Sequence, residues 1–272
     1  MVDNSLGRLW LENYNDSSVK NSLKYYLDDE QTEVVRSQID SLNNQVIDIE
    51  SLSFLDPSCG SGHILVYAFE LFYKLYLSRG YRERDIPELI LKNNIFGLDI
   101  DKRATQLATF ALVMKAREYD RRLFNRDFVI NIFSIEESNV ITPEQINHFS
   151  KENHEVKVAT EALIGTFYDG KLYGSIIQVP HIHINLIEEQ IDSIRDGERF
   201  DLFTTELIEY IFPLLEDLIS QYKLLERQYD VVVTNPPYMG SNGMNTDLKK
   251  FINEKYKEFN RDLFSVFIYR PE

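Results

Sequence analysis

Two consecutive prolines at the end of a β-branched run constrain this chain more than any other feature. Tyr229 to Thr234, Tyr-Asp-Val-Val-Val-Thr, reads as a buried strand. Asn235-Pro236-Pro237-Tyr238 ends it abruptly, because proline has no N–H to give to a sheet ladder. The sequence predicts a rigid loop at the carboxyl end of a strand, where open α/β sheets hold ligands. The Asn235 amide oxygen and the Pro236 carbonyl can each accept a hydrogen bond, and Tyr238 offers an aromatic face for a planar base. Together they describe a clamp for an exocyclic amine on a planar group. The competing reading is a proline-rich turn around a buried tyrosine.

A strand–turn–helix unit stands far upstream. Leu52 to Asp56 predicts a strand, Pro57-Ser58-Cys59-Gly60-Ser61-Gly62 a turn, and His63 to Ser78 a helix. Ile64, Leu65, Ala68, Leu71, Phe72 and Leu75 share its buried face. This is half of a βαβ nucleotide-binding unit. Gly60 and Gly62 let a ligand approach the backbone, and the helix N-terminus favours an anionic group. Leu65 occupies the place of the third glycine of the dinucleotide fingerprint, and Asp56 would repel a pyrophosphate. A carboxylate there suits ammonium and sulfonium centres beside a carboxylate. S-adenosylmethionine has that charge pattern, whereas NAD and ATP do not. Asp56 can also cap the turn, and the two roles coexist.

Ile95 to Asp99 predicts the second strand, with Asp99 placed to take both hydroxyls of a ribose. Asp101 is expected to cap a helix from Lys102 to Tyr119. Ala104, Leu107, Ala108, Ala111, Leu112 and Met114 are expected to pack that helix on the sheet. Phe128 to Ile132 predicts a third strand, with Phe133 to Ile135 beside an adenine ring. The fold class is therefore α/β, a Rossmann-like sheet with flanking helices and a helical insertion.

Four segments follow: a helical segment over 1–50, a cofactor-binding half over 51–135, an acidic, mainly helical insertion over 136–228, and a catalytic half over 229–272. Leu6, Leu9 and Trp10 share one helical face in the first; Ser22 to Tyr26, with Val34, Val35 and Ile39, suggests further short helices there. Ile187 to Ile194 and Glu206 to Arg227 have helical periodicity, with Pro213 marking a kink or boundary. His181 and His183 alternate as on a strand. With no cysteine and no third histidine close by in sequence, they read as a surface or hydrogen-bonded pair, and no metal is assigned. Met239 to Asn245 reads as a flexible loop, followed by a helix carrying Lys249, Lys250, Lys255 and Lys257.

The net charge of −15 argues against a simple nucleic-acid binder, whose affinity comes largely from neutralised phosphates. The distribution softens that objection. Residues 74–126 hold 12 Lys/Arg against 7 Asp/Glu, net +5, and residues 127–230 hold 7 against 20, net −13. The acid sits in the insertion, which is not expected to touch DNA. Cys59 is the single cysteine, so a reducing cytoplasm is the expected compartment, and it is expected to line the turn and not to act as a nucleophile. No apolar run approaches the ~20 residues needed to cross a bilayer.

Asp56-Pro57-Ser58-Cys59-Gly60-Ser61-Gly62, Gly97-Leu98-Asp99-Ile100-Asp101 and Asn235-Pro236-Pro237-Tyr238 together resemble motifs I, II and IV of the amino-methylating DNA methyltransferases. Further stretches are similar to the adenine-specific methyltransferases of BREX phage-defence systems (PglX-like) and related type IIG restriction-modification enzymes. These are Asn4 to Trp10, Ile86 to Ile90, Tyr173 to Gln178, and Met239-Gly240 through Asp262-Leu263-Phe264. The resemblance implies a class I S-adenosylmethionine-dependent fold, with Asp56, Pro57, Ser58, Gly60, Gly62, Asp99 and Ile100 holding the cofactor. It implies that Asn235, Pro236, Pro237 and Tyr238 hold an adenine flipped from double-stranded DNA, and that other defence-system proteins are partners.

Members of that family are much longer. Their Thr-Pro cofactor motif would fall just upstream of Met1, and further strands are expected after Glu272, so the chain reads as a core of a larger enzyme that by itself binds cofactor weakly and methylates DNA poorly or not at all. Methylation of rRNA guanine or of a protein glutamine, and a non-catalytic core, are the competing functions.

Overall fold

A computed structural model describes residues 1–14, 16–28, 32–42, 47–197 and 202–269. Parts of the first, third and fourth predicted segments, and the side chain of Ile39, lie outside the described residues. The chain divides into two compact units: residues 1–132 with 228–235, and residues 133–227 with 236–272.

The sheet has four strands in the order β3-β2-β1-β4: β1 (Phe54–Asp56), β2 (Ile95–Asp99) and β4 (Val231–Val232) lie in the first unit, and β3 (Asn131–Ser134) begins in it. β1 runs parallel to both neighbours, pairing Leu55 with Phe96 on one side and with Val232 on the other. The chain thus builds outward from β1 through β2 to β3, then returns to β1's other edge. That reversal is a topological switch point, the place where open α/β sheets bind ligands.

Three helices of this unit matter most: α1 (Leu6–Asn13), α2 (His63–Ser78) and α3 (Lys102–Tyr119). The bounds of α2, β2 and α3 are those the periodicity predicts. Leu6, Trp10, Leu65, Phe69, Phe72, Leu75 and Tyr76 are all fully buried in one core. A buried Asn94 ties this core together. Its amide donates to the carbonyls of Ile49 and Leu52, both at 2.7 Å, and its oxygen accepts from the Tyr76 hydroxyl at 2.9 Å.

Several expectations shift. β1 begins at Phe54 instead of Leu52, and β4 is only Val231–Val232, although Val233 N–H still donates to the Leu55 carbonyl at 3.0 Å. β3 starts at Asn131 and not at Phe128, and the Asn131 side-chain amide donates to the carbonyls of Leu91 and Lys92. The apolar run Phe-Val-Ile-Asn-Ile-Phe fits either frame by propensity, and only pairing decides. On α3, Thr105, Ala108, Leu112 and Ala116 are the buried stripe, while Leu107, Phe110 and Met114 form a second, exposed one. Leu107 and Met114 therefore do not pack on the sheet as the sequence suggested. Residues 17–22 are helical, whereas 23–26 are not.

The second unit is helical. It contains α4 (Pro143–Ser150), α5 (His154–Thr166), α6 (Ile184–Arg195), α7 (Phe212–Glu226), α8 (Thr246–Lys255) and α9 (Leu263–Tyr269). α4, α6 and α7 all pack on α5. Thr142 and Gln145 close a capping box that starts α4. Pro213 sits in the first turn of α7, directly after a π-helical turn at Leu207–Ile211, so it marks a boundary inside the predicted Glu206–Arg227 helix. A separate apolar cluster joins Ile176 to Met244, Leu248, Ile252, Tyr256, Leu263, Val266 and Phe267. The Tyr256 hydroxyl donates to the Ile176 carbonyl at 2.6 Å inside it.

Candidate active site

The turn after β1 is a closed hydrogen-bonded object. Cys59 N–H donates to the Leu98 carbonyl at 2.9 Å, and Gly62 N–H donates to the Cys59 carbonyl at 2.8 Å. Gly60 and Gly62 take φ of +51° and +84°, a backbone region that side chains disfavour. A Cβ at Gly62 would also meet Ala108 of α3 at 2.9 Å, whereas one at Gly60 would meet nothing within 4 Å. Gly62 is therefore needed for helix packing, and Gly60 faces open space. Cys59 is buried, and burial first, then the carboxylates of Asp56 and Asp99, push its thiol well above the usual range. It lines the turn, and the upward shift disfavours the nucleophilic thiolate.

Two carboxylates frame the turn. Asp99 accepts Gly60 N–H on Oδ2 at 2.8 Å and Asp101 N–H on Oδ1 at 2.9 Å. One donor per oxygen leaves lone pairs on each for a ligand hydroxyl. Asp101 caps α3, accepting from Arg103 N–H at 2.8 Å. Ile100 between them is exposed. Asp56 is 1% exposed; its Oδ1 accepts Ser58 N–H at 3.2 Å, and its buried Oδ2 has no hydrogen-bond partner among the described residues. Burial pushes its carboxyl from the ordinary 3.8 up to about 6, outweighing the Ser58 N–H, which pulls it down. Leaving a buried carboxylate oxygen unpaired is costly, so this atom is one a cationic ligand would satisfy.

β1 and β4 deliver Asp56 and Asn235 to the same end of the sheet. Ser58 Oγ and Thr234 Oγ1 lie 2.6 Å apart, and the Ser58 hydroxyl can donate to the Asn235 carbonyl at 3.4 Å. The sequence offered Thr234 only as the end of a strand. A hydroxyl directly before the Asn-Pro-Pro turn was the available signal. Asn235 closes the first unit and is exposed. Pro236 is half-buried, Pro237 exposed, and Tyr238 is 81% exposed, so the buried tyrosine of the competing reading is absent.

Other predicted features lie elsewhere. Met239 to Asn245 is tied back instead of hanging free: Leu263 N–H donates to the Met239 carbonyl and Ser241 N–H to the Arg261 carbonyl, both at 2.9 Å. Lys250, Lys255 and Lys257 are solvated. Phe133 lies half-buried in β3, with Ile135 buried beyond it. His181 and His183 lie in a loop that leads into α6 and not on a strand, with His181 Nδ1 3.3 Å from Glu226. Among the described residues no cluster of His, Cys, Asp or Glu could hold a metal, and no helix is long and apolar enough to cross a membrane.

The sheet with its flanking helices has the class I methyltransferase architecture, with carboxylates at the ends of β1 and β2 and an Asn-Pro-Pro-Tyr turn after β4. Residues 93–271 match the Eco57I restriction-modification methylase family, and the chain belongs to that family. It is 38% identical over 292 residues to the adenine-specific methyltransferase BrxX of Escherichia coli O9:H4 (strain HS), covering 98% of this chain and 24% of that protein. It is 34% identical over 283 residues to the adenine-specific methyltransferase PglX of Lacticaseibacillus casei (strain Zhang), covering 99% of this chain and 23% of that protein. The chain spans about a quarter of the length of these curated relatives.

Proposed function

We propose that this chain is the catalytic core of an enzyme that transfers a methyl group from S-adenosylmethionine to the N6 amino group of an adenine flipped out of double-stranded DNA, in restriction-modification or phage defence. The observation that carries the reading is the pairing at the switch point. A buried carboxylate with an unsatisfied oxygen ends β1, and Asn235 follows the neighbouring strand β4.

The turn fits the cofactor. Asp56 Oδ2 would meet its cationic end, Gly60 leaves open backbone, and Asp99 has lone pairs for the ribose hydroxyls. Pro57 and Ser58 would shape the turn, and Ile100 would offer apolar surface to the adenine moiety. When bound, S-adenosylmethionine supplies an electrophilic methyl on a sulfonium. Asn235 Oδ1 and the Pro236 carbonyl would then accept the two N–H groups of the target amine and orient its lone pair, with Pro237 fixing the turn. Tyr238 would stack on the base. No strong base is required, since positioning and electrostatics carry the rate. Flipping costs a few kcal/mol, which stacking on Tyr238 partly offsets.

Residues 51–135 would then form the cofactor half and 229–272 the catalytic half, with the acidic residues 136–228 held away from DNA. Other defence-system proteins would be partners, and the reducing cytoplasm, consistent with the single Cys59, would be the compartment.

Calorimetric titration of S-adenosylhomocysteine, with Asp99→Ala as control, tests the cofactor site. Offering DNA, rRNA and a release factor in parallel with labelled S-adenosylmethionine tests the substrate. In the full-length protein, saturable binding lost in the variant, with label entering DNA, is expected. A folded full-length protein that binds no S-adenosylhomocysteine, or that labels only rRNA or protein, sinks the proposal.

A further inference from the structure

We propose that Ser58 is a positioning residue for the amine clamp, acting through its hydroxyl on the Asn235–Pro236 peptide and not on the cofactor; this rests on the methyl-transfer reading of the site. Three observations meet here. Ser58 Oγ lies 2.6 Å from Thr234 Oγ1 and 3.4 Å from the Asn235 carbonyl, while Ser58 N–H is anchored on Asp56 Oδ1. Either hydroxyl can donate across the 2.6 Å contact; the arrangement that makes both contacts at once has Thr234 O–H donating to Ser58 Oγ and Ser58 O–H donating to the Asn235 carbonyl.

The peptide that receives this bond is special. Its nitrogen belongs to Pro236 and carries no hydrogen, so the carbonyl is the only hydrogen-bonding group on that peptide. Its plane fixes the direction in which the chain enters Pro236, and with it the aim of the Pro236 carbonyl relative to the Asn235 side chain. These are the two acceptors that must converge on one nitrogen. The 3.4 Å contact is long, as such bonds are before substrate arrives, and a shift of a few tenths of an ångström brings it into the normal range. Asp56, buried at the root of the turn, thereby links the cofactor's seat to the clamp through Ser58.

The test compares Ser58→Ala, Thr234→Val, the double variant and Thr234→Ser in the whole protein. Readouts are S-adenosylhomocysteine affinity by calorimetry and steady-state methylation of bacterial genomic DNA. Ser58→Ala and Thr234→Val are each expected to lower kcat about tenfold, the order of loss that misplacement of a reacting group produces. The KM for DNA should stay within about twofold, and any rise in the cofactor Kd should be well below the loss in kcat. The double variant should be no slower than the slower single one, since both break one relay, and Thr234→Ser should recover most of the rate. A Ser58→Ala protein that keeps its kcat, or whose Kd for S-adenosylhomocysteine rises in step with the loss, overturns the assignment. Additive losses in the double variant overturn the relay. A wild-type protein that moves no methyl group to DNA overturns the methyl-transfer reading, and this inference falls with it.

Discussion

The turn after β1 and the loop after β4 are built by opposite means. In the first, the root of the turn is inside: Asp56 and Cys59 are buried, two glycines adopt left-handed backbone, and a half-buried Asp99 staples Gly60. In the second, rigidity comes from covalent structure, two prolines in succession, and the functional groups stand outside, with Tyr238 81% exposed. A pocket for a small charged ligand must be preformed, because stray water would screen its charges. A clamp for a base drawn out of a duplex can stay open, since the base itself completes the desolvation. The contrast separates binding from transfer, and mutations should separate them too.

The sharpest break is Asn235→Ala. On the proposed function this removes one of the two acceptors on the target amine, and kcat for DNA methylation should fall about 10²–10³-fold while calorimetry shows an unchanged affinity for S-adenosylhomocysteine; equal loss of both would erase the division. Asp99→Ala should do the reverse. On the same proposal it removes a charge-assisted pair of contacts to the ribose, and it frees Gly60, so S-adenosylhomocysteine affinity should fall about 100-fold.

Asp56 sharpens the comparison through pH. Its carboxyl titrates near 3.8 when unfolded and at about 6 when folded, because burial disfavours the charge. Between those values the folded chain binds more protons than the unfolded one. Stability should therefore fall as pH rises through this window, by up to about 3 kcal/mol. Asp56→Asn should melt higher than the wild type at neutral pH, lose that advantage below about pH 4, and bind S-adenosylhomocysteine more weakly. Equal melting curves across pH would show that the buried carboxylate carries no strain. The smallest effect belongs to Tyr238→Ala, which should raise KM for DNA about tenfold through lost stacking and leave the melting temperature in place.

Much of this was legible because it is local. α2, β2 and α3 run where apolar periodicity and the Asp101 cap put them. The two motif turns were recognisable because glycine and proline leave the backbone few choices. The misreadings share a cause as well. Leu107 and Met114 fit a helical stripe as well as Thr105 and Ala116 do, and Phe128 to Phe133 has no preferred frame, so one chain segment alone could not choose. His181 and His183 alternate like strand residues, yet the Tyr222 hydroxyl takes Ile182 N–H at 2.9 Å, where a ladder partner would otherwise be needed.

The sequence by itself determined the local geometry of two turns, the order of the elements and the identity of the groups at the strand ends. Backbone sterics and short-range hydrogen bonding act within a few residues and leave their mark in composition. The tertiary structure decided what lies far apart in the chain. It placed β4 against β1, set Thr234 on Ser58 across 176 positions, stripped solvent from Asp56, and packed Ile176 against the helices after residue 239. Pairing, burial and desolvation depend on which distant segments meet, and no window of sequence carries that information.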